Sequence, residues 1–335
     1  MLDVIIIGSG VAGLSAALSL QKAGFNVRVF EYDFDFLDRK QGYGMTLTYS
    51  VDGPLSKLGV LDECIANNCP SHCHYIFSTN GDVLGYYGRE LKSHIVEDRP
   101  DQGGNRGNLR IPRQDLRMML IRKLKPDTIA WGYSLTNYCE SSTCVTATFN
   151  KRTMDGTDKS ESFQTSVLVG ADGIRSIVRQ LRDSKHHKFL KATFQATSDA
   201  KRKQATAVGP TPTRYLGVAV IIGLSAIAHP HVNNRGFYVV DGENRMFTMP
   251  YVAPRIIESE NGTQSEQTGT AAQSTGQTMW QLSFSGLDEA QASALRRSGP
   301  EAILVEALRR TENWFVPVQD MIRNTLPGEL WATGL

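Results

Sequence analysis

The chain has 335 residues, with 36 Lys and Arg against 34 Asp and Glu, a formal net charge of +2. That near-neutral balance gives no basic footprint for nucleic acid or an anionic membrane as the main partner. An apolar fraction of 41% and a charged fraction of 21% describe an ordinary globular protein long enough for two cores.

The first element sets the fold class. Val4–Ile7 is apolar and β-branched throughout, as expected of a strand buried on both faces of a parallel sheet. Gly8, Gly10 and Gly13 follow at G-x-G-x-x-G spacing where that strand must turn into a helix. The first glycine suits the tight turn, the second lets a pyrophosphate approach the backbone, and the third lets helix and strand pack closely. Ser9, Val11 and Ala12 complete the turn, and the helix N-terminus would receive the phosphate. A helix through Leu20, a stop at Gly24 and a second strand Val27–Phe30 lead to Glu31, placed to bind a ribose diol.

Gln41–Thr48 reads as a glycine-punctuated loop entering a strand, and Pro54–Asn67 as an amphipathic helix. Cys73–Tyr87 reads as a hairpin turning at Asn80-Gly81-Asp82, and Arg99–Asn108 as a loop. Arg113–Lys125 returns to helix; Ile129–Leu135, Cys144–Asn150 and Ser166–Gly170 read as strands, and Asp172–Arg179 opens another helix. Ser184–Lys203 is rich in lysine with little apolar periodicity, so it reads as a solvated insertion ahead of a basic patch. Tyr215–Gly223, Gly236–Val240, Arg245–Tyr251 and Met279–Ser285 would form an antiparallel sheet, interrupted by the polar stretch Gly262–Gln277. Helices are expected at Asp288–Arg297 and Pro300–Glu312.

Tyr215–Ala228, the longest apolar run, is too short to span a bilayer, so no transmembrane segment is expected. Strand residues begin at once with no apolar leader, which makes a cytoplasmic location the default expectation. Five cysteines do not describe a disulfide framework. Cys69, His72, Cys73 and His74 lack the spacing of a closed zinc site, so no metal is expected.

Three separated features resemble the class A FAD-dependent monooxygenases, the p-hydroxybenzoate hydroxylase-like aromatic hydroxylases. They are the N-terminal fingerprint ending in Glu31, Arg113 in an Arg-x-x-Leu segment with Leu116, and the Gly-Ala-Asp-Gly run Gly170–Gly173. The resemblance implies an α/β fold: an FAD/NAD(P)-binding Rossmann-like domain with a parallel sheet, plus an inserted, largely antiparallel substrate-domain sheet. It places the FAD-binding domain at 1–75, 105–182 and 318–335, and the substrate domain at 76–104 and 183–317. It implies FAD as cofactor and NADPH or NADH as transient co-substrate. The reaction it implies is hydroxylation of a small aromatic substrate through a flavin hydroperoxide.

Glu31 would hold the adenosine ribose, Arg113 would bring positive charge to the dinucleotide, and Asp172 and Gly173 would approach the cofactor phosphates. Arg175 and Arg179 are candidate NADPH contacts, and Gln41–Gly44 resembles the loop approaching the flavin. Arg39 and Lys40 read as exposed charge or as phosphate contacts. Asp172 also fits a plain helix cap, a reading that the two companion motifs outweigh. Tyr251, Phe247 and Trp280 are the aromatics to inspect for a substrate pocket, with core packing as their alternative. No catalytic acid or base emerges, since none of the seven histidines pairs with a carboxylate in the sequence.

The family's third FAD motif, of Gly-Asp-Ala-Ala-His type, has no counterpart here. The resemblance therefore implies a chain truncated before that motif, with weakened FAD binding. An inactive member acting as a binding or regulatory module, or a different flavin-dependent oxidoreductase on the same fold, are the alternatives.

Overall fold

The computed structural model describes residues 2–38, 43–71, 73–88, 106–153, 156–184, 214–227, 229–232, 235–252 and 277–335. They fall into two compact units, one drawn from residues 1–40, 58–60 and 116–214, the other from 41–57, 61–115 and 215–335. The lysine-rich insertion from 185 on, most of Gly262–Gln277, and Arg39, Lys40, Gln41, Gly42 and His72 lie outside the described residues.

In the first unit β1 (Leu2–Ile7) is followed by α1 (Val11–Lys22) and β2 (Val27–Glu31). β1 lies between β2 and β10 (Lys159–Gly170), parallel to both, and β7 (Ile129–Trp131) extends the sheet beside β2. The apolar run of β1 is explained by this central place. Val4 and Ile6 face α1 with Ala17, Val27 and Val29, while Ile5 and Ile7 pack with Phe30, Phe149 and Ala147 on the other side. β8 (Tyr133–Glu140) and β9 (Val145–Lys151) close the six-stranded sheet as an antiparallel meander with β10. The single strand expected over Ile129–Leu135 is split at Gly132, whose φ of +78° ends β7 and starts β8.

The second unit is built on a seven-stranded sheet. In chain order its strands are β4 (Cys73–Phe77), β5 (Val83–Gly88), β11 (Ala219–Ser225), β12 (Arg235–Val240), β13 (Asn244–Val252), β14 (Gln277–Phe284) and β15 (Thr325–Gly334). The spatial order is β15-β11-β14-β13-β12-β4-β5, antiparallel at every step except β12 with β4. One face is covered by α6 (Glu289–Arg297), α7 (Pro300–Arg310) and α8 (Val318–Arg323), whose Ala292, Ile303, Ala307, Val318 and Met321 pack on Ile221, Phe237, Trp280 and Leu282. A two-stranded ribbon of β3 (Gly44–Ser50) and β6 (Arg106–Pro112) belongs to the same unit.

Several local expectations shift. Pro54–Asn67 is two short helices, α2 (Pro54–Leu58) and α3 (Leu61–Ala66), separated at Gly59, which takes φ +78°. Arg106–Asn108, expected in a loop, are strand residues of β6 because β3 offers them a partner. The expected bounds assigned 1–75, 105–182 and 318–335 to the FAD-binding domain; β15 instead pairs with β11 in the second unit, and residues 41–57, 61–75 and 105–115 are grouped there too. The mixed fold, with a Rossmann-like βαβ unit and a separate, largely antiparallel sheet, is as the sequence implied.

Candidate functional site

The glycine-rich turn has the geometry that its spacing demands. Gly8 takes φ +100°, and a Cβ there would lie 2.6 Å from the Ala171 carbonyl oxygen. A Cβ on Gly13 would lie 2.0 Å from the Gly8 carbonyl oxygen, so only glycine lets α1 come this close to the turn. Gly10 caps α1 with no side-chain hydrogen bond, which keeps the first helical N–H groups clear of a protein side chain.

Glu31 sits where β2 ends and is buried. Its Oε2 accepts from the Ser9 N–H at 2.6 Å and its Oε1 from the Asp33 N–H at 3.1 Å. Each carboxylate oxygen has a second lone pair, so the acid can hold the turn and still accept from ribose hydroxyls. Trp131 of β7 pairs in register with Glu31.

Arg117 is a buried residue of this site that the sequence reading missed. It lies in α4 (Arg113–Lys123), is 3% exposed, and donates from Nε to the Ser9 carbonyl and from Nη2 to the Ser9 hydroxyl, each at 3.2 Å. Phe36 covers its guanidinium, 5.1 Å from the ring centre. The signal available was its place one turn after Arg113, but an arginine at that spacing reads equally as a solvated helix residue.

The other two candidates hold the local structure in place. Arg113, counted in the second unit, donates its N–H to the Tyr43 carbonyl at 3.0 Å and sets its guanidinium 5.8 Å from the Tyr43 ring centre. Asp172 does not begin the helix; that helix, α5, whose described residues are 177–184, starts later, and Asp172 caps it from five residues upstream. Its Oδ1 accepts from the Ser176 hydroxyl at 2.6 Å, and its Oδ2 from the N–H groups of Ile177 and Val178 at 2.6 and 3.2 Å. Gly173 is exposed with φ +77° in the intervening turn, and Arg179 donates to the Ile174 carbonyl there. The capping role is thus visible directly.

In the second unit the sheet face away from α6–α8 carries Val220, Ile222, Met249, Tyr251 and Met279, flanked by Phe247 and Trp331. Phe247 and Tyr251 therefore lie on this face, whereas Trp280 is fully buried under the helices and donates its indole N–H to Thr325 Oγ1. Gly44 of β3 approaches the face: its N–H lies 3.1 Å from the Met279 sulfur, and a Cβ would be 3.0 Å from Met249 Cε. Burial pushes the Tyr251 phenol well above its ordinary pKa, reinforced by Asp115 and Glu329.

Further along the same unit His74 is sandwiched against Tyr87, with ring centres 4.8 Å apart and planes within 5°. Gly236 makes room for it, since a Cβ there would lie 2.7 Å from the imidazole. Burial, and secondarily Arg110, lowers the His74 pKa to about 4, so the ring is neutral at pH 7. Among the described residues no group of three or more His, Cys, Asp or Glu could hold a metal ion, and no helix is long and apolar enough to cross a membrane.

A family profile described as FAD binding domain matches residues 1–213, and YetM of Bacillus subtilis, an FAD-dependent monooxygenase by name, is 30% identical over 226 residues. The chain belongs to the FAD-dependent monooxygenase family. The YetM match covers 63% of this monooxygenase-family chain and 57% of YetM. The 6-hydroxynicotinate 3-monooxygenase of Pseudomonas fluorescens is 28% identical, over 53% of this chain and 42% of that protein. The chain thus spans about half the length of the curated relatives it matches.

Solved monooxygenase folds agree. The 2,6-dihydroxypyridine-3-hydroxylase of Arthrobacter nicotinovorans superposes with a TM-score of 0.64 at 17% identity, covering 100% of this chain and 72% of that one. Klebsiella pneumoniae HpxO, solved with FAD and uric acid, gives 0.63 at 18% identity, covering 100% and 68%. At these identities the likeness is one of fold.

Proposed function

We propose that the protein is an FAD- and NAD(P)H-dependent monooxygenase that hydroxylates a small aromatic molecule with dioxygen. The observation that carries this reading is the cradle at the head of α1, where Gly8 and Gly13 leave no room for a side chain and Glu31 is tied to Ser9. Those residues fit the ADP half of FAD: the N–H groups of Gly10, Val11 and Ala12 would meet the pyrophosphate, and Glu31 the ribose diol. Arg117 fixes Ser9 and adds positive charge behind the turn. Arg113 and the Asp172-Gly173 turn are further proposed FAD contacts, the latter through backbone groups because the Asp172 carboxylate is engaged in its cap.

The chemistry FAD supplies when bound is acceptance of a hydride from NAD(P)H and activation of dioxygen. The apolar sheet face carrying Phe247, Met249 and Tyr251 suits a flat aromatic ring and keeps water from it. A reducing, cytoplasmic setting is part of the proposal, in keeping with five cysteines that form no disulfide with one another.

The test is to load the protein with FAD and follow NADPH and NADH oxidation with a panel of phenols, checking products for one added oxygen atom. Stimulated oxidation with an oxygenated product is expected. Flavin-loaded protein that oxidises neither nucleotide, or gains no product from any aromatic, overturns the reading.

A further inference from the structure

The head of the β3–β6 ribbon is fastened to the apolar sheet face of the second unit through sulfur. Gly44 pairs with Pro112 in the register of the ribbon, and one step earlier the Arg113 N–H donates to the Tyr43 carbonyl at 3.0 Å. Hydrogen-bonded and non-hydrogen-bonded pairs alternate along an antiparallel ladder, so the Gly44 N–H points away from β6 and needs an acceptor elsewhere. It finds the Met279 sulfur, 3.1 Å away on β14.

Met249 stands beside this contact. It faces Met279 in register across β13 and β14, and both side chains are buried on the face that carries Ile222 and Tyr251. A Cβ on Gly44 would lie 3.0 Å from Met249 Cε, 3.3 Å from its sulfur and 3.8 Å from the Met279 sulfur, so the glycine backbone rests directly on the two thioethers. Leucine at 279 would seal the face equally well, but it offers no acceptor for the N–H. A thioether does, weakly, at the end of a flexible chain that adapts to the backbone it meets. Tyr43 is held from the other side by Arg113, whose guanidinium lies 5.8 Å from its ring centre. The entry to β3 is thus tied to β6 through Tyr43 and to the sheet face through Gly44.

We infer that Met279 is a positioning residue for the aromatic substrate: its sulfur holds the Gly44 N–H and keeps the head of β3 down on the face that would receive the ring. As an account of substrate placement this rests on the monooxygenase reading above; as an account of the tie and of ring binding it stands without it.

The experiment compares the full chain with Met279→Leu, which keeps the volume, and Met279→Gln, whose side-chain carbonyl can accept the N–H. Amide hydrogen exchange at Gly44, followed by NMR, reads the tie, with Ile221 in the middle of the sheet as the control amide. Affinity for 2-naphthol, by calorimetry, reads the consequence. Met279→Leu should speed Gly44 exchange and weaken 2-naphthol binding, each by about fivefold, and leave Ile221 alone; Met279→Gln should restore most of both. In the unaltered protein the Gly44 amide should exchange at least about tenfold more slowly than that of Gly242, an exposed turn residue. Equal rates there, or no binding of 2-naphthol, overturn the inference whether or not the variants fold. Exchange or affinity left unchanged by Met279→Leu overturns it too. Turnover on the same samples separates the two claims. An oxygenated product with no effect of Met279→Leu sinks this inference alone, and the full set of Met279 effects without any turnover sinks the monooxygenase reading alone.

Discussion

The backbone N–H of Ser9 donates to Oε2 of Glu31 at 2.6 Å, across 22 residues of sequence, so the glycine-rich turn and the acid at the end of β2 are one hydrogen-bonded unit. The second oxygen of Glu31 takes the Asp33 N–H. In Glu31→Gln the amide nitrogen cannot accept, so one of these two donors loses its partner. A loss of about 1–3 kcal/mol in urea-unfolding stability is expected, together with weaker FAD binding. Unchanged affinity for FAD in a folded Glu31→Gln protein would remove Glu31 from the site.

Gly13 and Gly24 separate packing from conformation. An alanine methyl at Gly13 would meet the Gly8 carbonyl at 2.0 Å, whereas at Gly24 it meets nothing within 4 Å and suffers only from φ +90°. Gly13→Ala should displace α1 from the turn, costing about 1–3 kcal/mol of overpacking and most of the FAD affinity. Gly24→Ala should cost about 1 kcal/mol and leave FAD binding alone. Matched flavin titrations and thermal melts of the two variants check this; equal effects on FAD would contradict it.

Asp172 gives one carboxylate oxygen to the Ser176 hydroxyl and the other to the first two N–H groups of the helix over 177–184. Asp172→Ala should therefore destabilise the protein by about 1–2 kcal/mol, and Asp172→Asn should recover much of that, as Asn is a comparable cap. Denaturant unfolding of the pair is the check. If Asn is no better than Ala while FAD binding falls equally in both, the carboxylate acts on the cofactor rather than on the helix.

His74 makes stability depend on pH in a stated direction. Its pKa is lowered from 6.5 to about 4, first by burial and then by Arg110. Between those values the unfolded chain takes up a proton that the folded chain refuses. The stabilisation is complete above pH 6.5 and is lost as pH falls towards 4, by at most about 3 kcal/mol. His74→Phe keeps a ring in the stack without the titration. The melting temperature of the unaltered protein should fall more steeply from pH 7 to pH 5 than that of His74→Phe; parallel curves would contradict the assignment.

The nucleotide end of the fold was legible because its constraints are local. A strand buried on both faces, three glycines at fixed spacing and an acid closing β2 all lie within 31 consecutive residues, and each is where the βαβ geometry needs it. The splits at Gly59 and Gly132 were hidden because a glycine inside an apolar pattern shows its positive φ only in the structure. β15 was misplaced because strand pairing is a long-range choice: its partner β11 lies about a hundred residues upstream, and nothing in Thr325–Gly334 names it. Arg117 was passed over for a related reason. Its burial comes from Ser9 and Phe36, contacts that no spacing along the chain reveals.

The central claim is that the turn from Gly8 to Gly13, with Glu31, holds the ADP half of FAD. Its most direct measurement is a titration of FAD with the 335-residue protein, followed by quenching of flavin fluorescence, then displacement by ADP and by adenosine. Saturable quenching that ADP reverses, and adenosine reverses only weakly for want of the pyrophosphate, is the predicted result. Quenching absent at every protein concentration, or indifferent to ADP, would contradict the account.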